Sequence, residues 1–263
     1  MRVTIAGSGD AFGSGGRFQA CTHIAPSHAP AILIDCGTTS LTALRSLDLD
    51  PGEVTLVAVT HLHGDHFGGL PFLILDGQFR RRATDLRIIG PPGTRRRLTE
   101  TMEALFPGSS TVTRRFRTVI DEIAPDETLS VPSHGLHIEA HPADHSAGAP
   151  ALSLRLTLAN RTLAFSGDTA WTPGLPEVAA DSDLFLCEGY TWGRKVPGHL
   201  EVTDLVNNRE TLTTRRLLLT HPSPDVLDQQ ATLPFELASD GTTVDIADSR
   251  PPSDPRRPPS HLT

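Results

Sequence analysis

At 263 residues the chain is long enough for one large domain or two small ones. An apolar share of 38% suits a globular core, and a net charge of −8 argues against binding nucleic acid through overall charge. No apolar run approaches the roughly 18 residues of a membrane span. No charged and apolar leader precedes Val3, so a cytoplasmic protein without a membrane anchor is expected.

In chain order, strands are predicted at 3–6, 31–35, 54–60, 86–89, 112–119, 136–140, 151–158, 161–166, 184–187, 216–220 and 243–246. Helical patterns fit 39–47, 69–80, 93–105, 200–212 and 223–229. Sheet-rich runs with separated helices argue for an α/β or α+β domain with layered sheets. One domain is expected over 1–247. The last sixteen residues, 248–263, hold five prolines and read as a disordered tail, which removes His261 from the candidate ligands. Cys21, Cys36 and Cys187 are odd in number and far apart, and read as reduced thiols.

Near the start, Gly7-Ser8-Gly9 and Gly13-Ser14-Gly15-Gly16 could cradle a phosphate with backbone amides, touched by Ser14 or Arg17. No GKS or GKT follows, which excludes a nucleoside-triphosphate loop. The most informative stretch is Thr60–Leu70, THLHGDHFGGL. It follows the apolar run Val54–Val59, so it reads as a loop at the end of a buried strand. His61 and His63, two apart, point to one side of an extended backbone. Asp65 and His66 follow as the chain turns. Imidazole nitrogens and a carboxylate are the donors that zinc and related divalent metals prefer.

Further candidates lie downstream. His134, His137, His141 and His145 are close in sequence, and any of them could be a ligand; His137 and His141 fit better along a strand. Asp168 in SGDT is a ligand candidate or a turn residue. His221 repeats the strand-then-histidine pattern of AVTH, or enters a helix before Pro222. Ten arginines, Arg80, Arg81, Arg82, Arg87, Arg95, Arg96, Arg97, Arg114, Arg115 and Arg117, fall within 38 residues. The favoured reading is a solvated face or a subunit contact, which leaves a homodimer open; a surface that attracts anionic substrate is the alternative.

These motifs carry a resemblance. THLHGDHFGGL resembles the first metal motif of the metallo-β-lactamase superfamily. His145 in ADHSAGAPALSL, Asp168 in FSGDT and His221 in LLLTH agree with its later motifs in type and order. Gly7-Ser8-Gly9, Ser166–Thr169 and Gly198-His199-Leu200 look most like the phosphodiesterase branch. That branch includes ribonuclease Z and the cyclic-phosphate phosphodiesterase of phosphonate breakdown. The resemblance implies an α/β four-layer αβ/βα sandwich of two mixed sheets flanked by helices, with the site at one edge. It selects His145 from its four-histidine stretch. It implies two divalent metal ions per chain, zinc first, with manganese or iron as alternatives. His61, His63 and His145 would hold one, and Asp65, His66 and His221 the other, with Asp168 bridging. A metal-bound hydroxide would be the nucleophile. His199 matches the family histidine that protonates the leaving oxygen, and Glu188 in CEGYTW would orient it. Asp65, His199 and Glu188 are therefore the expected catalytic residues. In one departure, ribonuclease Z has a glutamate three residues before the bridging aspartate, where this chain has Phe165.

The implied function is a metal-dependent phosphodiesterase acting on a small anionic substrate, a phosphodiester or cyclic phosphate. Ribonuclease Z usually inserts a long basic arm between the third ligand motif and SGDT. Here 22 residues separate His145 from Asp168, room for two strands and a turn. Cleavage at tRNA 3′ ends is therefore the second reading, and nucleic acid a disfavoured partner. Thioester hydrolysis and a non-catalytic metal-binding scaffold are further alternatives. The thioesterase family adds a helical C-terminal domain, and degenerate scaffolds usually lose ligands.

Overall fold

A computed structural model describes residues 1–247. The tail expected at 248–263, with His261, lies outside the described residues. The first sheet begins with β1 (Arg2–Gly7), β2 (Cys21–Ala25), β3 (Ala31–Ile34), β4 (Val54–Ala58), β5 (Leu86–Gly90) and β6 (Thr118–Glu122). The second contains β7 (Thr128–Val131), β8 (Leu136–Ala143), β9 (Ala151–Leu158), β10 (Arg161–Phe165), β11 (Leu184–Glu188), β12 (Leu217–Thr220) and β13 (Glu236–Leu237). β14 (Thr242–Asp245) then returns to pair with β1. Each sheet has seven strands among the described residues, in the orders 14-1-2-3-4-5-6 and 13-12-11-10-9-8-7.

The alternation of side chains along each strand makes the layers. Leu56 and Ala58 of β4 face the second sheet, where Ile138, Leu154, Leu156, Leu163, Leu186 and Leu218 meet them. Val57 of the same strand faces outward onto helices α1 (Ser40–Ser46), α2 (Gly64–Phe67), α3 (Leu70–Phe79) and α4 (Thr94–Leu105), through Leu44, Phe67, Leu73 and Leu98. On the other side, Ala164, Phe185 and Leu219 pack under α5 (Leu175–Ala179), α6 (Val202–Asn207) and α7 (Pro224–Asp228), through Val178, Leu205 and Val226. The central strands are buried on both faces, which is why they read as continuous apolar runs. The layers are thus helix, sheet, sheet, helix, as expected. Among the described residues no helix is long and apolar enough to cross a membrane.

Strand direction places the chemistry. β3 to β6 are parallel neighbours in one sheet, and β10 to β13 in the other. β8 and β10 both pair antiparallel with β9, so they share a direction. Loops leaving the carboxyl ends of β3, β4, β8, β10, β11 and β12 therefore gather at one edge, where open α/β sheets bind ligands. A backbone hydrogen bond from Leu152 N–H to Thr60 C=O, 2.9 Å, joins the two sheets at that edge.

Several elements depart from expectation. The strand predicted at 112–119 forms at Thr118–Glu122, because pairing starts only where β5 offers a partner, at Leu86 opposite Thr118. The helix predicted over 200–212 is α over Val202–Asn207 and then a 3-10 turn at Arg209–Thr211. β2, β7, β13, α2 and α5 were not expected. Each is two to five residues long, too short to display a period.

Candidate metal centre

The candidate ligands arrive on these strand ends. His61 and His63 follow β4, and the next residues close into α2, a single turn where the sequence suggested a loop. Its first bonds run from the His66 and Phe67 amides to the His63 carbonyl, at 3.1 and 3.0 Å. Gly37 is required beside it: a Cβ there would lie 2.2 Å from the Asp65 carbonyl oxygen. With no side chain in between, the Cys36 amide reaches the His66 carbonyl at 2.6 Å and the Gly69 amide the Cys36 carbonyl at 2.7 Å. The loop after β3 thus clamps the turn that carries Asp65 and His66.

Three groups of donors result among the described residues. His61, His63 and His145 form the first, Asp65, His66, Asp168 and His221 the second, and Asp168, Glu188, His199 and His221 a third that overlaps it; within each group the donor atoms lie within 4.8 Å of one another. In the second group Nε2 of His66 is 3.4 Å from Oδ2 of Asp65 and 3.2 Å from Oδ1 of Asp168. Nε2 of His221 is 3.2 Å from Oδ2 of Asp65 and 3.5 Å from Oδ2 of Asp168. Two ligands of a tetrahedral zinc with bonds of about 2.0–2.1 Å lie about 3.3 Å apart. The separations of Asp65 Oδ2 from the two imidazoles, 3.4 and 3.2 Å, match edges of that tetrahedron, and Asp168 presents a different oxygen to each imidazole. In the first group Nδ1 of His63 is 3.0 Å from Nε2 of His145. Oδ2 of Asp168 is 3.9 Å from Nε2 of both His61 and His145, so this carboxylate faces the first group as well as the second.

The electrostatics suit a cation. Nε2 of His61 and Nε2 of His66 are buried without a hydrogen-bond partner; the His66 atom has carboxylates near it, but none aligned for a hydrogen bond. A buried polar atom left unpaired is costly, and a metal would satisfy it. Burial pushes the His61, His63 and His145 imidazoles below their ordinary pKa, which leaves neutral nitrogens ready to coordinate. For Asp65 burial works against ionisation, but His66 and His221 hold its carboxyl well below the usual range. His66 moves the other way: burial lowers it, yet Asp168, Asp35 and Asp65 together raise it far above an ordinary imidazole. Three carboxylates around one ring call for positive charge there. The donor set therefore fits divalent metal.

A surrounding layer fixes these groups. Nδ1 of His66 hydrogen-bonds Oδ2 of Asp35 at 2.7 Å, which turns Nε2 inward. Asp35 also accepts from the Thr60 amide at 2.8 Å and from its hydroxyl, which itself touches Nδ1 of His61 at 3.2 Å. Nδ1 of His145 donates to the Gly198 carbonyl at 2.7 Å. Sequence reasoning missed Asp35, although it follows the apolar run AILI as Asp168 follows TLAF. Such outer partners typically hold metal affinity by about 10- to 100-fold. Asp35→Ala is expected to weaken metal binding by that factor while the fold persists, read by competition against a chromogenic chelator. Unchanged affinity would remove Asp35 from this role.

Glu188, at the end of β11, lies beside this cluster. Its Oε2 accepts from the Thr169 and Leu200 amides at 2.9 and 3.0 Å, and its Oε1 is 2.6 Å from Nδ1 of His199. Burial and the nearby Asp168 raise the Glu188 carboxyl far above its usual range, and burial lowers His199. The short contact with Glu188 through Nδ1 fixes the His199 ring. Nε2 of His199 has no hydrogen-bond partner among the described residues. Glu188 thus places a carboxyl group directly against His199. Tyr190, also missed from sequence, lies against the His199 ring at 4.4 Å.

Other expectations resolve as structural roles. Ser14 donates to Asp10 at 2.7 Å, and Arg17 to Ser8 and the Ala238 carbonyl, so neither is free for phosphate. In the arginine-rich stretch, Arg82 is buried and donates to the Val54 and Pro51 carbonyls at 2.6 and 2.7 Å. Arg117 pairs with Asp85, Arg87 with Asp121, and Arg80 with Asp50 and Asp76. Arg95 and Arg114 donate to backbone carbonyls. Much of that charge is neutralised or spent on the fold. His137 and His141 lie along β8, as expected. All three cysteines are buried and free, and burial pushes Cys21 up to about 12.

The fold and the donor set define the class. The beta-lactamase superfamily domain matches residues 31–240, and the chain belongs to that superfamily. A ribonuclease Z of Mycobacterium avium (strain 104) is 28% identical over 192 residues, covering 68% of this chain and 67% of the relative. The short form of human tRNase Z superposes with a TM-score of 0.76 at 24% identity, over 94% of this chain and 100% of that one. A diphosphatase of the PhnP family does so with a TM-score of 0.73 at 16% identity, over 94% and 98%. These two likenesses show the shared fold.

Proposed function

We propose that the protein is a dinuclear metal-dependent phosphodiesterase acting on a small phosphodiester or cyclic phosphate. The observation that carries this reading is the pairing of a metal-type donor cluster with His199, 3.8 Å from Asp168 and backed by buried Glu188. Hydrolysis of a phosphodiester expels an alkoxide, which needs a proton donor. A thioester expels a thiolate, which needs one less.

His61, His63 and His145 are assigned to one ion, Asp65, His66 and His221 to the other, and Asp168 to both. Zinc suits the nitrogen-rich set best, with manganese or iron as alternatives. Bound metal would supply a Lewis acid for the phosphoryl oxygens and lower the pKa of water. The rest falls to the chain. As the P–O bond to the leaving group breaks, Nε2 of His199 gives its proton to the departing oxygen. Glu188 holds Nδ1 of the ring and so orients Nε2. The amides of Thr169 and Leu200 fix Glu188 in turn. Asp65 acts by holding metal and by orienting His221 through their 3.2 Å contact.

A second reading, cleavage at tRNA 3′ ends, is supported by the ribonuclease Z relatives. Two features rank it lower. The stretch between His145 and Asp168 is filled by β9 and β10, paired antiparallel from Arg161 opposite Leu158, with no inserted arm. The arginines that could replace an arm are largely occupied. Buried free thiols suit a reducing compartment, which supports a cytoplasmic location. The test is a screen of metal-replete protein against phosphodiesters, precursor tRNA, thioesters and β-lactams, with metal quantified in the same sample. Turnover confined to thioesters or β-lactams would overturn the reading, and efficient accurate cleavage at a tRNA 3′ end would promote the second one.

A further inference from the structure

The first turn of α4 breaks an electrostatic rule. A helix N-terminus carries partial positive charge and favours acidic side chains there. α4 instead opens with Arg95, Arg96 and Arg97 and has no acidic residue in that turn. Two of the three are accounted for by the fold. Arg95 donates to the Ile120 carbonyl at 2.6 Å, and its amide is capped by Glu122 at 2.9 Å. Arg96 lies 3.6 Å from Glu100, one turn on. Arg97 is half-buried, and its guanidinium has no hydrogen-bond or ion-pair partner among the described residues. Local conflicts of this kind concentrate at functional sites.

The position of Arg97 shows which site. β5 runs parallel to β4, so the loop into α4 emerges at the metal edge. That loop stands against the one carrying His61 and His63: a Cβ on Gly93 would lie 3.9 Å from Cδ1 of Leu62. The guanidinium then reaches the loop after β8, where a Cβ on Gly148 would lie 3.6 Å from Nη2 of Arg97. Gly148 follows His145 by three residues, no more than about 11 Å along the chain. Arg97 thus spans from one histidine loop to the other at the rim of the metal centre.

We propose that Arg97 receives a second anionic group of the substrate, a phosphomonoester carried on an ester arm of the scissile diester. The proposal rests on the phosphodiesterase reading and narrows its substrate class from any small diester to one with a terminal phosphate. The metal centre takes the scissile phosphoryl group, so the guanidinium is left for another. Its planar fork offers parallel N–H donors to two phosphoryl oxygens. A phosphomonoester carries a charge of about −1.5 to −2 at pH 7. The end of α4 that disfavours an unpaired arginine favours such an anion. Occupancy therefore removes the conflict in the first turn.

The test uses p-nitrophenyl diesters, whose leaving group needs little protonation, so His199 does not decide the comparison. One series carries an ω-phosphoalkyl arm with linkers of two to six carbons, and the other the matching ω-hydroxyalkyl arm. In the metal-replete wild type at low salt, one linker length should favour the phosphoalkyl ester in kcat/KM by about 10- to 100-fold, the scale of charge-assisted hydrogen bonds. Arg97→Ala should bring that ratio to near unity. Arg97→Lys should keep part of it, because it supplies charge without the fork. Arg96→Ala should leave the ratio in place. A ratio unchanged in Arg97→Ala overturns the proposal, and so does an ω-carboxyalkyl arm that gains as much as the phosphoalkyl one. Calorimetric titration gives a second readout. Alkanediol bisphosphates of the same lengths should bind the metal-replete protein more tightly than alkyl monophosphates, and Arg97→Ala should erase the difference. If the wild type turns over no diester at all, the phosphodiesterase reading fails, and this binding difference still decides whether Arg97 takes a phosphate.

Discussion

Asp168→Ala is expected to lose metal and turnover together. The carboxylate is buried and faces both donor sets assigned to the ions, at 3.2 Å from His66 and 3.9 Å from His61 and His145. Removing it opens both sites at once. The loss of turnover should exceed the roughly 10- to 100-fold ascribed to an outer partner such as Asp35, reaching on the order of 10³-fold or more. Because bound metal favours the folded state, the thermal midpoint in excess zinc should fall as well. Metal content after gel filtration checks the first part and calorimetry the second. Full occupancy with an unchanged midpoint would show that Asp168 holds no metal.

His199→Ala separates proton donation from metal binding. This variant should keep its metal, because neither donor set assigned to an ion includes His199. Its effect should depend on the leaving group. An alkoxide needs the proton, so an alkyl or nucleoside diester should slow by about 10²- to 10⁴-fold. A p-nitrophenolate leaves with little help, so bis(p-nitrophenyl) phosphate should slow far less. Equal losses for the two classes would take His199 out of the donor role. Glu188→Gln should show the same leaving-group dependence in weaker form, because an amide still reaches Nδ1 but holds the ring less firmly.

Much of this site could be read from the residues. The cluster from His61 to His66 announces itself by composition, and Asp168 and His221 do so by following apolar strands. What could not be read was depth and pairing. Asp35 is one acidic residue among many until the loop after β3 folds onto α2, and only Gly37 at that point lets it approach. Glu188 could be named beside His199, but the upward shift of its carboxyl comes from burial and from Asp168, neither of which is local in sequence. Ser14 and Arg17 looked available because Asp10, Ser8 and the Ala238 carbonyl are invisible as partners before folding. The same holds for Arg82, whose neighbours in the chain suggest a charged surface while its guanidinium ends on buried carbonyls. For the fold, long apolar runs were legible, whereas β2, with Thr22 and His23 inside a central strand, was not. Its place between β1 and β3 is set by tertiary pairing and not by pattern.

The most direct measurement is a zinc titration of the metal-stripped chain, with bound metal and bis(p-nitrophenyl) phosphate turnover followed in the same samples. The arrangement of His61, His63 and His145 around one position and Asp65, His66 and His221 around another, joined by Asp168, predicts activity that rises to a plateau at two ions per chain. Activity that saturates at one ion, or two bound ions with no turnover, would contradict a dinuclear phosphodiesterase.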